Sequence, residues 1–292
     1  MKWLITGAEG QLGKSLVKLL LSIGVDTVSY GSGQMDVTDR ENVETLIEHN
    51  RPNFIVNAAA WTNVDTAEVN KELAFQVNAG GVKNLALAAQ KFDSVLVQIS
   101  TDYVFSGETA TPISEDEDMN PKGVYGASKA EGEEVVRSLL PNQAYILRTA
   151  WLYSEFKSNF AKSICRRALT TREEIEVVND QFGQPTNAND LALQIYNVVT
   201  SGAKFGTYHA TNSGETSWFG FAQSIVELIG SDVDRVIPIS SKQSGRVALR
   251  PSYSVLGHRA WKDTDVVAMR HWNDSLRENI DSIVSATMKM SS

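Results

Sequence analysis

The run Gly7-Ala8-Glu9-Gly10-Gln11-Leu12-Gly13 lies directly behind the apolar stretch Trp3-Leu4-Ile5-Thr6 and opens a helical stretch, Gln11 to Ile23. A strand that runs straight into a helix leaves unpaired backbone N–H groups at the helix start. Those groups, together with the helix dipole, attract a phosphate-bearing ligand. A Cβ at the glycine positions would block the turn or hold the phosphate away. The spacing is G-x-x-G-x-x-G rather than G-x-G-x-x-G, and alone it also suits a bare strand-to-helix turn.

Two later motifs narrow the reading. Thr101 follows the strand-like run Val95-Leu96-Val97-Gln98-Ile99-Ser100. A hydroxyl at the carboxyl end of a strand stands where an open α/β sheet holds its ligand, although such a residue also serves as a cap or turn. Tyr125 and Lys129 are four residues apart and share one helix face. A free tyrosine titrates near pKa ~10, and a nearby ammonium lowers that value. A tyrosine so tuned gives a proton to a carbonyl oxygen while hydride arrives at carbon. The pair alone also fits a solvated helix face. A phosphate-binding turn, a hydroxyl and a Tyr-x-x-x-Lys pair together point to hydride transfer between a nicotinamide and a carbonyl.

Strand and helix patterns alternate through the first half of the chain, which predicts an α/β, Rossmann-type, doubly wound parallel sheet. Strands are predicted at Trp3–Thr6, Thr27–Tyr30, Phe54–Asn57, Val95–Ser100 and Tyr145–Arg148, and helices at Gln11–Ile23, Arg40–Asn50, Ala74–Gln90 and Tyr125–Leu139. Thr38 and Asp39 are candidate N-caps, and Pro52 prevents helical continuation. Residues 107–123 are polar and read as a loop, with the acids Glu115 to Asp118 as a solvated surface. Past Trp151 the pattern loosens, with helices at Asn159–Leu169, Asn187–Thr200 and Trp218–Ile229.

At 292 residues and 42% hydrophobic, the chain can bury a large core. A net charge of -8 argues against nucleic acid and anionic membrane as partners. A single cysteine, Cys165, excludes an intramolecular disulfide and sits in a helical pattern as packing. Met1-Lys2 leads at once into a strand, and no apolar run of about 18 residues exists, so a cytoplasmic protein is expected.

The ensemble of motifs resembles the extended short-chain dehydrogenase/reductase family over nearly the whole chain. The resemblance is carried by Asn57 to Glu68, by Ser100-Thr101-Asp102-Tyr103-Val104-Phe105 with Gly107, and by Val124 to Lys129. It continues through Arg148 to Tyr153, Asp180 to Thr186, Tyr208-His209-Ala210, Ser217-Trp218 and Arg250-Pro251. Three positions depart from the pattern. Ser106 replaces an aspartate, Ser252-Tyr253-Ser254 replaces the usual asparagine after Arg-Pro, and Ser15 stands where some members carry a metal-bridging acid. The last puts a metal-bridged dimer in doubt; no metal is assigned, and a homodimer is left open.

The resemblance implies reduction of a dTDP-linked 4-keto-6-deoxy sugar, dTDP-4-dehydro-L-rhamnose, to dTDP-L-rhamnose. It implies a cofactor-binding part over residues 1–150, with segments of roughly 185–212 returning to it. Residues 151–292 then form mainly a smaller substrate-binding lobe. The implied catalytic set is Thr101, Tyr125 and Lys129, with Lys129 also holding the nicotinamide ribose. Gly7, Gly10, Gln11, Leu12, Gly13, Asp36, Val37, Ala58, Ala59 and Ala60 are the implied cofactor contacts. Thr62, Val64, Tyr103 and Trp151 are implied at the sugar, and Arg250 at a phosphate. Trp151 and Trp218 equally suit core packing, and Arg250 equally suits a surface ion pair. An acid at the end of the second strand would favour NADH, but that strand ends Ser29-Tyr30-Gly31-Ser32. NADPH is therefore expected, with NADH as an alternative donor. Two rival readings stay open: a reductase or epimerase of another nucleotide-linked 4-keto sugar, and a non-catalytic NADP-binding regulatory subunit.

Overall fold

Short apolar runs separated by amphipathic helices fold into a parallel sheet, since strands buried on both faces must be apolar throughout. The computed structural model describes residues 1–289. Lys2–Thr6 (β1), Asp26–Tyr30 (β2), Phe54–Asn57 (β3), Val95–Thr101 (β4), Ala144–Thr149 (β5) and Gly206–His209 (β6) form one sheet. It is parallel throughout, in the order β6-β5-β4-β3-β1-β2. The order reverses at β1, so β1 and β3 flank the switch point where such sheets hold ligands. The expected doubly wound architecture is met. β6, absent from the sequence expectation, extends the sheet beyond β5.

The helices are Gln11–Ser22 (α1), Arg40–Asn50 (α2), Val64–Val69 (α3), Lys71–Phe75 (α4), Val82–Lys91 (α5) and Val124–Leu139 (α6). Phe160–Thr170 (α7), Ala188–Thr200 (α8), Trp218–Leu228 (α9) and Trp272–Lys289 (α10) follow. Asp39 caps α2 by accepting from the backbone N–H of Glu41 and Asn42, whereas Thr38 bonds Asp36. The single helix expected over Ala74–Gln90 is interrupted by a π-helical turn at Gln76–Gly81. There Asn78 turns inward: its Oδ1 accepts from Trp61 N–H at 2.9 Å, and its Nδ2 donates to the Trp61 carbonyl at 3.0 Å.

Among the described residues, three large buried clusters and a small fourth around Val104, Phe105, Ile113, Ala130 and Leu256 make up the core. On one sheet face Leu12, Leu16 and Leu20 of α1 pack with Leu191, Ile195 and Val198 of α8. On the other, α2, α5 and α6 contribute Val43, Ile47, Leu85 and Val136. A third cluster gathers α7, α9 and α10 around Phe221, Ile225, Leu276 and Ile283, beside the paired strands Ile175–Val178 and Val236–Ile239. Cys165 is fully buried there, and burial pushes its thiol up to about 12, so it is packing and not a nucleophile. Of the acid run, Asp116 to Asp118 are exposed, while the Glu115 carboxylate accepts from Ala260 N–H. No helix among the described residues is long and apolar enough to cross a membrane.

Candidate active site

The glycine turn is built before any ligand is considered. Gly7 sits at φ 62°, and a Cβ there would lie 2.6 Å from the Ala58 and Ala59 backbone. A Cβ on Gly13 would strike the Gly7 carbonyl at 2.3 Å. Both glycines are thus required by the turn itself. Gly10 differs, because an added Cβ would meet only the Gly7 oxygen, at 3.2 Å, and would otherwise point into the cavity. Gly10 is the N-cap of α1 and brings no side-chain cap, and no acid occupies the first helical turn. The N-terminal N–H groups therefore face the cavity uncapped and suit a pyrophosphate. The Gln11 side chain is used differently: its Oε1 accepts from Ser154 Oγ at 3.1 Å and Asn159 Nδ2 at 2.9 Å. It ties the turn to the N-cap of α7.

This turn opens a cavity of about 590 Å³ at the carboxyl ends of the strands. Gly10, Gln11, Leu12, Ala58, Ala59, Ala60, Thr62, Val64, Thr101, Tyr103, Tyr125, Lys129 and Trp151 all line it. Gly7 and Gly13 lie behind the turn. Asp36 and Val37 lie away from this cavity; Asp36 accepts from Thr38, and the Val37 carbonyl accepts from Asn84 Nδ2. The sequence reading gave no site role to Asn57, Asp102, Lys157 or Ser158, which also line the cavity. Nor did it place Glu9 at the end of β2. A Cβ on Gly31 would stand 2.7 Å from the Glu9 carboxyl carbon, so an acid does occupy that neighbourhood.

The residues expected to be catalytic converge at the end of β4 and the start of α6. The Tyr103 and Tyr125 rings meet edge to face with centroids 5.5 Å apart. Burial pushes the Tyr125 phenol up to about 12, opposed by a hydrogen bond with Thr101. Thr101 Oγ1 also donates to Asp102 Oδ1 at 3.0 Å, and burial raises that carboxyl to about 6. Lys129 is buried, which lowers it to about 8, and its Nζ donates to the Ile99 carbonyl at 2.5 Å. What opposes the desolvation of the phenol is the Thr101 hydrogen bond and not, as the sequence predicts, the Lys129 ammonium. The proton is held on Tyr125 at neutral pH, as a proton donor requires.

Trp151 closes the far wall at φ 46°, a left-handed backbone that costs a bulky residue of order 1–3 kcal/mol. It stacks on Trp218, so Trp218 lines the cavity as well. Gly183 makes room behind it, since a Cβ there would lie 2.6 Å from the Trp151 ring.

A second cavity, of about 660 Å³, adjoins the first and shares Ser158 and Trp218 with it. Arg167, Arg246 and Arg250 stand on its wall with Gln181 and Gln243. Arg250 is not a free fork, because its Nη2 and Nη1 donate to the two carboxylate oxygens of Asp65 at 2.7 and 3.2 Å. The ion pair foreseen as the alternative for Arg250 is thus present, while its location at the cavity wall keeps it beside any occupant. Ser15 is buried on the inner face of α1, and among the described residues no cluster of three His, Cys, Asp or Glu is arranged to hold a metal ion.

An uncapped glycine turn at the switch point of a parallel sheet, facing a partly buried tyrosine and a buried lysine and threonine, defines an NAD(P)H-dependent reductase of the short-chain type. The chain belongs to the family described as RmlD substrate binding domain, whose model matches residues 1–285. It is 41% identical over 277 residues to a dTDP-4-keto-6-deoxy-D-glucose reductase of Streptomyces niveus, covering 95% of this chain and 96% of that one. It is also 41% identical over 286 residues to a dTDP-4-dehydrorhamnose reductase of Streptomyces griseus, covering 97% and 94%. A crystal structure of dTDP-4-dehydrorhamnose reductase from Bacillus anthracis in complex with NADP superposes with a TM-score of 0.92 at 38% identity, covering 96% of this chain and 98% of that one.

Proposed function

We propose that this chain reduces dTDP-4-dehydro-L-rhamnose to dTDP-L-rhamnose, with NADPH as hydride donor and NADH as an alternative. The observation that carries the reading is the junction of the two cavities at Ser158 and Trp218. One chamber holds the reducing site, and the other turns Arg167, Arg246 and the Asp65-paired Arg250 toward a diphosphate, against the single acid Glu176. A negatively charged protein gains there the local positive potential that an anionic substrate needs.

The residues fit the cofactor, since Gly10 leaves a cradle that a Cβ would fill and α1 presents unfilled N–H groups. Gly7, Gly10, Gln11, Leu12 and Gly13 form the phosphate side, Ala58, Ala59 and Ala60 the facing wall, and Asp36 and Val37 the adenosine end. When bound, the cofactor supplies hydride to C4 of the sugar. Thr101 turns its hydroxyl from Asp102 to donate a hydrogen bond to the C4 oxygen, and Tyr125 gives that oxygen a proton. Lys129 keeps a positive charge behind the phenol and holds the nicotinamide ribose. Thr62, Val64, Tyr103 and Trp151 shape the sugar pocket, while Arg250, with Arg167 and Arg246, faces the diphosphate.

In this reading residues 1–150, with roughly 185–212, bind the cofactor, and residues 151–292 supply most of the substrate side. The packing of α8 on α1 and of β6 on β5 supports the return of the middle segment. The enzyme works in the cytoplasm on a small anionic sugar and needs neither nucleic acid nor membrane. The Streptomyces niveus relative, named for a different 4-keto hexose, supports a second reading in which the sugar differs. Incubation with NADPH and a panel of dTDP-linked 4-keto sugars, followed by identification of the C4 epimer, separates the two. Preferred turnover of the rhamnose precursor supports the proposal. Equal or better turnover of a gluco-configured ketone assigns the second reading, and no turnover of any ketone rejects both.

A further inference from the structure

Tyr125, Lys129, Glu133 and Arg137 recur at four-residue spacing and form one stripe along α6. The first two belong to the reducing site. The last two are not used by the reaction as derived, yet Glu133 is fully buried. Its Oε2 accepts from Arg148 Nη2 at 2.8 Å and from Arg137 Nη2 at 2.6 Å. Its Oε1 accepts from Ser100 Oγ at 2.5 Å and from Arg148 Nε at 3.0 Å. Ser100 directly precedes Thr101 on β4, and Arg148 lies on β5. The carboxylate therefore stands between the buried Lys129, one helical turn away, and two guanidinium groups.

We propose that Glu133 is a positioning residue for the reduction: it is the counter-charge that keeps Lys129 protonated and it fixes the end of β4 that carries Thr101. The inference rests on the reductase reading of the site. A buried ammonium loses hydration, which favours its neutral form. Without Glu133, Lys129 would also face Arg148 and Arg137 with no negative charge between. The other charged or titratable groups around this corner are the exposed Glu134, which pairs with Arg137, Asp102 beside Thr101, Tyr125 on the same helix, and His209 beside Arg148. Burial holds His209 neutral, down to about 3, and Asp102, raised to about 6, is ionised above neutral pH, but of the two carboxylates only Glu133 acts on Lys129. Lys129, lowered to about 8 by burial and raised against that by Glu133, is then the first essential group to lose its proton as pH rises.

The test is the alkaline limb of kcat for ketone reduction. Glu133→Gln keeps the shape and should move that limb to lower pH by about one to two units, the order expected for a unit charge at about 6 Å in a partly shielded site. The limb moves down because loss of a negative neighbour lowers the pKa of an ammonium. Turnover at pH 8 should fall by about fivefold for a shift of about one unit and about fiftyfold for about two, with the sugar KM little changed. Arg137→Met removes a half-exposed positive charge from the same carboxylate, folds more safely, and should move the limb the opposite way by a smaller amount. A folded Glu133→Gln that keeps the wild-type limb overturns the proposal. If that variant does not fold, an Arg137→Met limb that stays put or moves down overturns it. Lys129→Met serves as the separate control: full activity in that variant would reject the reductase reading of Lys129 itself, independently of Glu133.

Discussion

Trp151 lies face to face with Trp218, ring centroids 3.7 Å apart and 11° from parallel. Trp151 is held in a left-handed backbone and is wedged against Gly183, so its ring has one place to go. The partner ring, from the start of α9, sets the wall shared by both cavities. Trp218→Ala should therefore raise KM for the keto sugar by about twofold to tenfold, the worth of an aromatic pair of roughly 0.5–1.5 kcal/mol. KM for NADPH should stay within error. Steady-state kinetics with each substrate varied in turn checks this, and a change confined to NADPH would refute the role given to the stack.

Gly10 is the one glycine of the turn whose bulk would enter the cavity and not the protein. Gly10→Val should leave the far-ultraviolet circular dichroism spectrum unchanged while NADPH binding is lost. Calorimetric titration decides it; retained affinity would reduce the turn to a structural element.

Glu9 brings a carboxyl group against Gly31, where a 2′-phosphate would approach the end of β2. A carboxylate there would repel a 2′-phosphate and so weaken the preference for NADPH. Glu9→Gln should raise the ratio of kcat/KM for NADPH over NADH by about fivefold, the order of 1 kcal/mol for two charges about 4 Å apart in water. An unchanged ratio would place Glu9 outside the cofactor site.

Acid stability follows from two histidines, His209 fully buried and His258 partly so. Burial lowers His209 to about 3 and His258 to about 4. Unfolded histidine titrates near 6.5, so the unfolded chain takes up protons first and stability falls as pH drops from about 6.5 toward 4. Asp102, raised to about 6, binds its proton earlier in the folded state and offsets one histidine. The net loss should be about 1.4 kcal/mol per pH unit between pH 6 and 4. Denaturant midpoints at several pH values measure it, and a flat profile over that interval would show that one histidine is charged in the fold.

Much of this arrangement is legible in the sequence because its parts are local. The glycine turn, the hydroxyl at the end of β4 and the Tyr125–Lys129 pair each sit within one turn or one helix face. Period and spacing therefore reveal them. Glu133 and Arg148 are separated by a loop and a strand, and Glu9 meets Gly31 only across the β1–β2 edge, so their pairing is a property of the tertiary structure. The four-residue β6 begins at Gly206 and carries too few alternating positions to stand out. The π-helical turn is invisible to a 3.6-residue period, which runs through Gln76–Gly81 without interruption. α10 was legible in principle, since Trp272, Leu276, Ile280 and Ile283 mark one face. Its polar majority hides that stripe from a composition-based reading.

The central claim is that Tyr125 is the acid of a nicotinamide-dependent ketone reduction. Tyr125→Phe removes only the hydroxyl and leaves the ring against Tyr103. With dTDP-4-dehydro-L-rhamnose and NADPH, followed by loss of the nicotinamide absorbance, kcat should fall by ~10²–10⁴, the usual worth of a positioned acid. The NADPH dissociation constant should change little. Turnover near the wild-type rate with that substrate would contradict the account.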